Sequence, residues 1–416
     1  MKRVLILLLA LCAATAAFAQ GGAKTPVELR FTVWTGNEAH LQMLNGIAAK
    51  YTAAHPGVTV KFDTIPYDDY PQKLVLQLAG SNPPDAGWIS EANAPAFVAA
   101  GNLADLTAAA APYDLKDFSA SATELWRKGS AIYGLPFSTS PLVVIYNKKL
   151  LAAAGAKTPS ELEAKGQWTW EAFADLARTV KAKTGVYGFQ TMDGSGYSDN
   201  LWATLVPMIR AYGGEVWNGK GVSTLDRPEA VKAVTLLHAM IYKDKSVVPP
   251  GEQADFFAGN AAMTVSQISR VSKLVGADFQ WGLAKLPKGP AGDAQVIGQA
   301  AIVAFKASKN AALAADFAAF MTSKENVAVM TRFFPPARVS VLESESFTKG
   351  NPNIPPEAMA SVVGAALKVG KILPNHPNFS EIDLAARACF DRLWRPDADV
   401  KSVMAAAARA VTPLLK

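Results

Sequence analysis

Cysteine is nearly absent from this sequence, with only Cys12 and Cys389 among 416 residues. That count excludes a disulfide scaffold and a multi-cysteine zinc module. Histidine is scarce as well: His40, His55, His238 and His376 show no H-E-x-x-H or H-x-H spacing, so no metal site is read from the sequence. Runs of Lys or Arg are missing, and a net charge of +6 over this length is no nucleic-acid footprint. After Gln20 no apolar run reaches the roughly 20 residues needed to span a bilayer. Gly219-Lys220-Gly221 has no third glycine and reads as a hairpin turn, so a phosphate-cradling loop is missing. The stretch Asp193-Gly194-Ser195-Gly196-Tyr197 lacks the first glycine of a nucleophile elbow. Neither a catalytic residue nor a cofactor is read from these patterns. Carboxylate pairs stay open, because glycosidase acids come from distant positions in a chain.

Half of the chain is apolar and 18% is charged, enough apolar surface to offset the entropy of ordering. At roughly 100–200 residues per domain, two or three domains are expected. Lys2 and Arg3 precede an apolar stretch from Val4 to Leu11, and small residues follow to Ala17-Phe18-Ala19. This three-part pattern predicts a signal peptide, residues 1–19, cleaved after Ala19. Bulky Leu11 before Cys12 argues against lipid attachment there. Cleavage removes Lys2 and Arg3 from 41 basic residues against 35 acids, leaving a net charge of +4 and Cys389 as the sole cysteine. The mature chain is expected to be exported to the periplasm or the exterior and soluble.

Periodicity then sets the fold class. Val27, Leu29, Phe31 and Val33 alternate with polar residues, as do Val58, Val60 and Phe62. Between them Leu41, Leu44, Ala48 and Tyr51 share a helical face that Pro56-Gly57 ends. Strand, helix and strand in this spacing predict a parallel βαβ unit with a right-handed crossover. Leu142 to Tyr146 is a continuous apolar run, as in a strand buried on both faces. Trp170, Phe173, Ala177 and Val180 predict a second helix, and Leu313, Phe317 and Phe320 another. A helix capped by Asp226 with Glu229 reaching back is expected, its inner stripe being Val231, Val234, His238 and Ile241. Ala301 to Phe305 reads as a late strand, and Ile382 to Leu415 as helix broken at Arg395-Pro396. This α/β alternation without a linker suggests two intimately connected lobes.

Aromatic residues gather where the chain turns. Trp34 to Glu38 follows the first strand, Tyr67-Asp68-Asp69-Tyr70 follows the second, and Trp202, Tyr212, Trp217 and Phe333-Phe334 come later. An aromatic face stacks on the C–H face of a sugar ring, and nearby polar side chains bond its hydroxyls. Ligands of open α/β sheets bind beyond the carboxyl ends of the strands, which is where Trp34 to Glu38 falls.

The most specific stretches are Gly134-Leu135-Pro136-Phe137 followed by Ile145-Tyr146-Asn147-Lys148-Lys149-Leu150-Leu151-Ala152-Ala153-Ala154-Gly155, and Trp168-Thr169-Trp170-Glu171-Ala172-Phe173. With them go Pro84-Asp85, Ala100 to Leu106, Tyr187-Gly188-Phe189, Gly259 to Met263, Ser308-Lys309-Asn310 and Pro374-Asn375-His376-Pro377. From Val27 to its end the chain resembles the extracellular solute-binding proteins of ABC importers, the family that includes the maltose-binding protein.

The resemblance implies an α/β fold of two lobes, the type II periplasmic-binding-protein fold, with hinge crossover strands and a cleft between the lobes. Crossovers are expected near Phe137 to Pro141 and Gly292 to Gly298. The lobes are then 24–137 plus 294–336 and 138–293 plus 337–416. Function is implied to be capture of a mono- or oligosaccharide and its delivery, unaltered, to the membrane subunits of an ABC permease with their ATPase. A monomer is expected, with no metal and no nucleic-acid partner. Glycerol 3-phosphate or its diesters is the alternative ligand class, with Ser140, Ser266 and Arg338 as candidate phosphate ligands; a secreted glycoside hydrolase is the alternative from another class. Carried over residue by residue, the expected contacts are Trp34, Asn37, Glu38 and Tyr67 after the first two strands, Glu91 and Asn93, and Ser138 and Ser140 on the crossover. Trp202, Ser266, Gln267, Gly298, Gln299 and Arg338 complete the set.

Overall fold

The computed structural model describes residues 26–416 except 81, 119, 193–196 and 199. The signal-peptide segment and the stretch 193–196 therefore lie outside the described residues.

The amino-terminal βαβ unit forms as its periodicity predicts. Strands β1 (Val27–Val33) and β2 (Val58–Thr64) pair in parallel from Val27↔Val58 to Val33↔Thr64. The intervening helix Glu38–Ala54 buries His40, Leu44, Ile47, Ala48 and Tyr51. It starts where the Asn37 side chain accepts the backbone N–H groups of Ala39 (3.0 Å) and His40 (3.3 Å), two donors with no partner inside the helix. Gly57, at φ 88°, turns the chain into β2, a conformation that a residue without Cβ adopts at little cost. Strand β3 (Ala86–Ser90) adds to β1 in parallel, and β4 (Arg127–Lys128) with β5 (Ala131–Ile132) makes a separate small hairpin.

The remaining strands are β6 (Leu135–Asn147), β7 (Tyr187–Gln190), β8 (Ala261–Gln267), β9 (Trp281–Ala284), β10 (Val296–Ala304) and β11 (Lys371–Ile372). They complete a sheet in the order β2-β1-β3-β10-β6-β8-β7, with β9 on β6 and β11 on β10. Strands β6 and β10 are buried along their whole length and pair antiparallel, Ile297 with Pro141 and Ile302 with Leu135. The ladder slips between Ala300 and Ala301, leaving Phe137 opposite no partner; its ring stacks on Trp88 at 4.8 Å.

Apolar side chains sort into separate cores along this sheet. One cluster takes Leu29 to Phe137 and Ala300 to Ala337. A second takes Leu142, Val144 and Tyr146 with the helices Trp170–Thr184, Leu201–Ala211, Pro228–Tyr242, Phe379–Phe390 and Val400–Val411. A third takes Val143 and Ile145 with Phe256, Leu283 and the segment around Met359. Strand periodicity explains the split of Leu142 to Tyr146, since successive side chains face opposite sides. Along β6 the core changes between Phe137 and Leu142, and along β10 between Val296 and Ala300. A third crossing lies between Ala337 and Phe347. The fold is thus two-lobed, with crossover strands joining the halves. Among the described residues no helix is long and apolar enough to cross a membrane.

Three local expectations change. The helix attributed to an Asp226 cap begins at Pro228, with Arg227 at the N-cap and no side-chain cap bond; a proline in the first turn starts a helix without one, because its missing N–H needs no partner. Its buried face is Ala230, Ala233, Val234, Leu237, Met240 and Ile241, so His238 falls outside the stripe, with Nε2 2.8 Å from the Arg395 carbonyl oxygen. The late strand begins at Val296 rather than Ala301.

The third crossing is held by buried polar groups. Thr139 of β6 donates its N–H to Pro335 O (2.8 Å) and its hydroxyl to Pro336 O (2.8 Å). Arg338, 1% exposed, donates to the carbonyls of Thr322 (2.6 Å), Tyr113 (2.7 Å) and Asp114 (3.0 Å) and pairs with Asp117 at 3.3 Å. Its guanidinium also lies over the Phe118 ring at 4.2 Å. Truncation leaves those acceptors buried and unsatisfied. Arg338→Ala is therefore expected to cost about 3–5 kcal/mol of stability, read as a lowered midpoint in denaturant melts. A loss below about 1 kcal/mol would show that water replaces the guanidinium.

Candidate functional site

Beyond the carboxyl ends of β1 and β2 the chain places an aromatic wall. Trp34 meets Tyr67, Tyr70 and Trp88 edge-on, with ring centroids 5.8, 5.2 and 5.1 Å away. Such tilted pairs set the positive edge of one ring against the negative face of the next. Trp88 continues the stack to Phe137 and Phe334. Tyr67 is 43% exposed and Trp34 half-buried, so the wall presents ring surface to the space between the lobes.

That space has two chambers that share Trp34 and Tyr67. The smaller, of ≈ 250 Å³, runs between Trp34, Asn37, His40, Trp88 and Phe334 of the first lobe and Gln267, Ser269, Arg270, Ser272 and Lys273 of the second. The larger, of ≈ 550 Å³, lies between Asp68, Tyr70, Ser90 and Asn93 on one side and Phe379, Glu381, Asp383 and Arg387 on the other. At the boundary Asn37 Nδ2 reaches Ser272 Oγ across the gap at 3.5 Å. Most of the second-lobe wall of the smaller chamber comes from a short 3-10 helix, Ile268–Leu274, directly after β8, with Met192 and Asn200 beside it. Ile268, Val271 and Leu274 are buried there, which leaves Ser269, Arg270, Ser272 and Lys273 to line the cleft. Gln267 ends β8 with its amide against Gly298; a Cβ at residue 298 would lie 2.5 Å from Gln267 Nε2. Any side chain at that position would push the Gln267 amide out of its present place.

Electrostatics differ along the walls. Burial pulls the Arg270 guanidinium down from its usual range, opposed by Tyr67 and Asp68 across the cleft. Burial lowers His40 to about 4, so its imidazole is neutral at neutral pH; Nδ1 lies 3.0 Å from the Thr35 hydroxyl. In the larger chamber Asp383 pairs with Arg387 at 2.7 Å.

Of the residues singled out from sequence, Trp34, Asn37, Tyr67 and Gln267 line the smaller chamber, and Trp34, Tyr67 and Asn93 the larger. Glu38 is exposed on the first helical turn and accepts from Gln42 at 3.3 Å. The rest do not line either chamber, and their bonding says why. Glu91 and Gln299 bolt β10 to the end of β3: Gln299 N–H donates to the Glu91 carboxylate (2.8 Å) and Glu91 N–H to Gln299 O (3.0 Å). The Gln299 side chain accepts from Trp126 Nε1 at 3.0 Å. Ser138, Ser140 and Ser266 are buried inside β6 and β8, and the Ser140 and Ser266 hydroxyls have no hydrogen-bond partner among the described residues. Gly298 gives room to Gln267, as above. Trp202 is a correction to the aromatic platform: 6% exposed, it packs on Trp217 and Phe379 and donates to Asp383 at 2.8 Å. It stands behind the cleft surface and fixes a residue that lines it. Arg338 is likewise corrected, its guanidinium being consumed by first-lobe carbonyls.

Sequence reasoning missed Arg270 and Lys273, only a few residues past the Ser266-Gln267 pair it did select. It also missed Trp88, Asp383 and Arg387, which carry no distinguishing motif, while Tyr70 belongs to the aromatic cluster after the second strand without being named as a contact.

Among known proteins, residues 39–328 match the family model described as bacterial extracellular solute-binding protein. A putative binding protein of Brucella abortus is 26% identical over 299 residues, covering 68% of this chain and 69% of that one. The arabinooligosaccharide-binding protein of Bacillus subtilis is 27% identical over 345 residues, 77% of this chain and 75% of that one. In three dimensions, an ABC substrate-binding protein of Listeria monocytogenes in complex with cycloalternan superposes with a TM-score of 0.81 over 93% of this chain and 98% of that one, at 22% identity. That likeness carries the fold.

Glu91 supplies a test of the hinge. Burial raises its carboxyl from 4.5 to about 7, against the lowering effect of the Gln299 and Glu91 N–H bonds. The folded state thus keeps a proton that the unfolded chain releases, so this group stabilises fully below the unfolded value and that contribution is lost as pH rises through about 7. Glu91→Gln keeps an acceptor for Gln299 N–H and removes the buried charge. It is expected to raise stability at about pH 8 by on the order of 3 kcal/mol, and to change little at about pH 4. A variant weaker than the native chain at both pH values, in denaturant melts, would contradict the account.

Proposed function

The chain belongs to the family of bacterial extracellular solute-binding proteins, and from that premise we propose that it captures a carbohydrate in the interlobe cleft and passes it unaltered to the membrane subunits of an ABC importer. The observation that carries the carbohydrate reading is the half-exposed aromatic wall of Trp34 and Tyr67 facing hydrogen-bonding side chains across the gap. Ring faces shed water against the C–H surface of a sugar, while Asn37, Asn93 and Gln267 serve its hydroxyls. Relatives named for arabinooligosaccharide and holding cycloalternan support the same ligand class.

Capture works through the two lobes. A solute touching both walls makes more contacts when the lobes are close, so it favours the closed state by that difference in contact energy. The crossover pair β6 and β10, with the Ala337-to-Phe347 segment, forms the hinge. A disaccharide of about 23 heavy atoms, at about −0.3 kcal/mol per atom, reaches about −7 kcal/mol, or a Kd of several micromolar. Such a receptor captures dilute sugar and still lets it go. The protein acts outside the cytoplasm as a monomer and returns its cargo chemically intact.

Trp34→Ala and Tyr67→Ala are each expected to weaken sugar binding by about tenfold or more, the loss typical of a stacked anchor, with the folded state retained. A thermal-shift screen of neutral and acidic saccharides finds the ligand first, since a molecule that binds only the native state raises its melting temperature; calorimetry on the hit then compares the variants. Unchanged affinity in both would remove the aromatic wall from the binding site.

A further inference from the structure

In the larger chamber the second-lobe wall is one face of a single helix. Among the described lining residues, those of the second lobe all belong to the helix Phe379–Phe390, and Phe379, Asp383 and Arg387 recur there at four-residue spacing. Side chains four apart on a helix stand one above the other. The neighbouring stripe, Ile382, Ala386 and Phe390, is packed into the second-lobe core. The helix therefore turns an aromatic ring, a carboxylate and a guanidinium toward the cleft, opposite Tyr67 and Asn93 of the first lobe.

Asp383 is held more firmly than an ordinary surface carboxylate. A pair with Arg387 one helical turn on leaves both side chains free to reorient and is worth little in water. Here Oδ2 meets Arg387 at 2.7 Å while Oδ1 accepts the Trp202 Nε1–H at 2.8 Å. Trp202 is itself locked: it is buried in the second-lobe core, with its ring 5.8 Å from Trp217 and 6.2 Å from Phe379. One indole thus braces two cleft residues from behind, Phe379 by ring packing and Asp383 by a hydrogen bond. The Asp383 side chain stays 17% exposed, and a carboxylate has about four lone-pair sites, so acceptor capacity remains for a donor in the chamber. A hydroxyl that donates to it makes a charge-assisted bond, stronger than one between neutral groups. An acceptor already fixed in place loses little freedom when the bond forms.

Resting on the carbohydrate reading above, we infer that Asp383 is the specificity-determining acceptor of the larger chamber, taking hydrogen bonds from the hydroxyls of a sugar unit there, and that Trp202 is the positioning residue that aims it. The two lobes then read different features of the same unit. The first lobe stacks the ring, and the second selects for hydroxyls placed to donate to a fixed carboxylate.

The test is calorimetry on the full mature chain with the tightest sugar from a thermal-shift panel of neutral mono-, di- and trisaccharides, comparing the native protein, Asp383→Asn, Trp202→Phe and the double variant. Asp383→Asn keeps the shape and one acceptor oxygen, and should lower affinity about tenfold or more, as for the loss of a charge-assisted bond. Trp202→Phe keeps a ring against Trp217 and Phe379 but removes the N–H, and should lower affinity about threefold or more. A residue that acts through Asp383 has nothing left to position once Asp383 is changed, so the double variant should bind no more weakly than Asp383→Asn. Losses that simply add would reduce Trp202 to packing and overturn its positioning role. Unchanged affinity in Asp383→Asn would overturn the whole inference and leave carbohydrate capture standing; that part-exposed variant decides the matter where Trp202→Phe folds poorly. No sugar of the panel bound by the native chain would overturn both.

Discussion

Everything in this molecule that resembles a receptor depends on one pair of antiparallel strands. β6 and β10 are buried throughout, and each passes from the first-lobe core into apolar clusters of the second lobe. Because hydrophobic contact is short-ranged, two cores that share only these strands and a third crossing cannot merge into one, and a gap persists where the lobes face each other. The bonds at the crossover are backbone ladders and buried polar clamps: Glu91 with Gln299, and Thr139 with Pro335 and Pro336. Groups of that kind hold strand positions firmly while leaving the lobes themselves free of a large shared apolar interface. The bulge at Phe137 and the prolines at 136 and 141 thin the ladder at the same place, which is where a hinge needs the fewest hydrogen bonds to rearrange.

The two walls of the gap are chemically unlike, and the difference follows from how each is built. The first-lobe wall grows out of parallel strands whose carboxyl ends deliver Trp34 and the Tyr67 loop, with Trp88 supplied from within β3. In the smaller chamber the second-lobe wall is mainly a short 3-10 helix that buries Ile268, Val271 and Leu274 and so shows its polar residues. A solute held between them loses water from its apolar face on one side and finds hydrogen bonds and charge on the other. The first-lobe wall adds Asn37 and Asn93 to its rings, and a solute that touches both walls gains contacts that neither wall supplies alone.

Much of the fold was legible because periodicity and burial agree. The alternation of Val27 to Val33, the Leu44, Ala48 and Tyr51 stripe and the unbroken run Leu142 to Tyr146 each predict what forms, since each element buries the face its pattern marks. Starts and caps were harder. Pro228 opens a helix that Asp226 was expected to cap, because a proline's fixed geometry is an equally good start. The site was only partly legible. Trp34, Asn37, Tyr67, Asn93 and Gln267 sit at or just past the ends of strands, where topology alone places them on the cleft. Arg338, Trp202 and the Glu91–Gln299 pair are the same residue types used structurally, and sequence carries no sign of whether a guanidinium finds carbonyls of its own lobe. Arg270 and Lys273 were invisible for the opposite reason: a turn of mixed polar residues looks like ordinary surface until its buried side is known.

Small-angle X-ray scattering of the mature chain, with and without saturating sugar identified by thermal shift, tests the central claim most directly. Closure of two lobes about β6 and β10 predicts a smaller radius of gyration in the liganded protein, with the sugar recovered unaltered from the complex. An identical scattering curve with the cleft demonstrably occupied, or recovery of a cleaved sugar, would contradict the account.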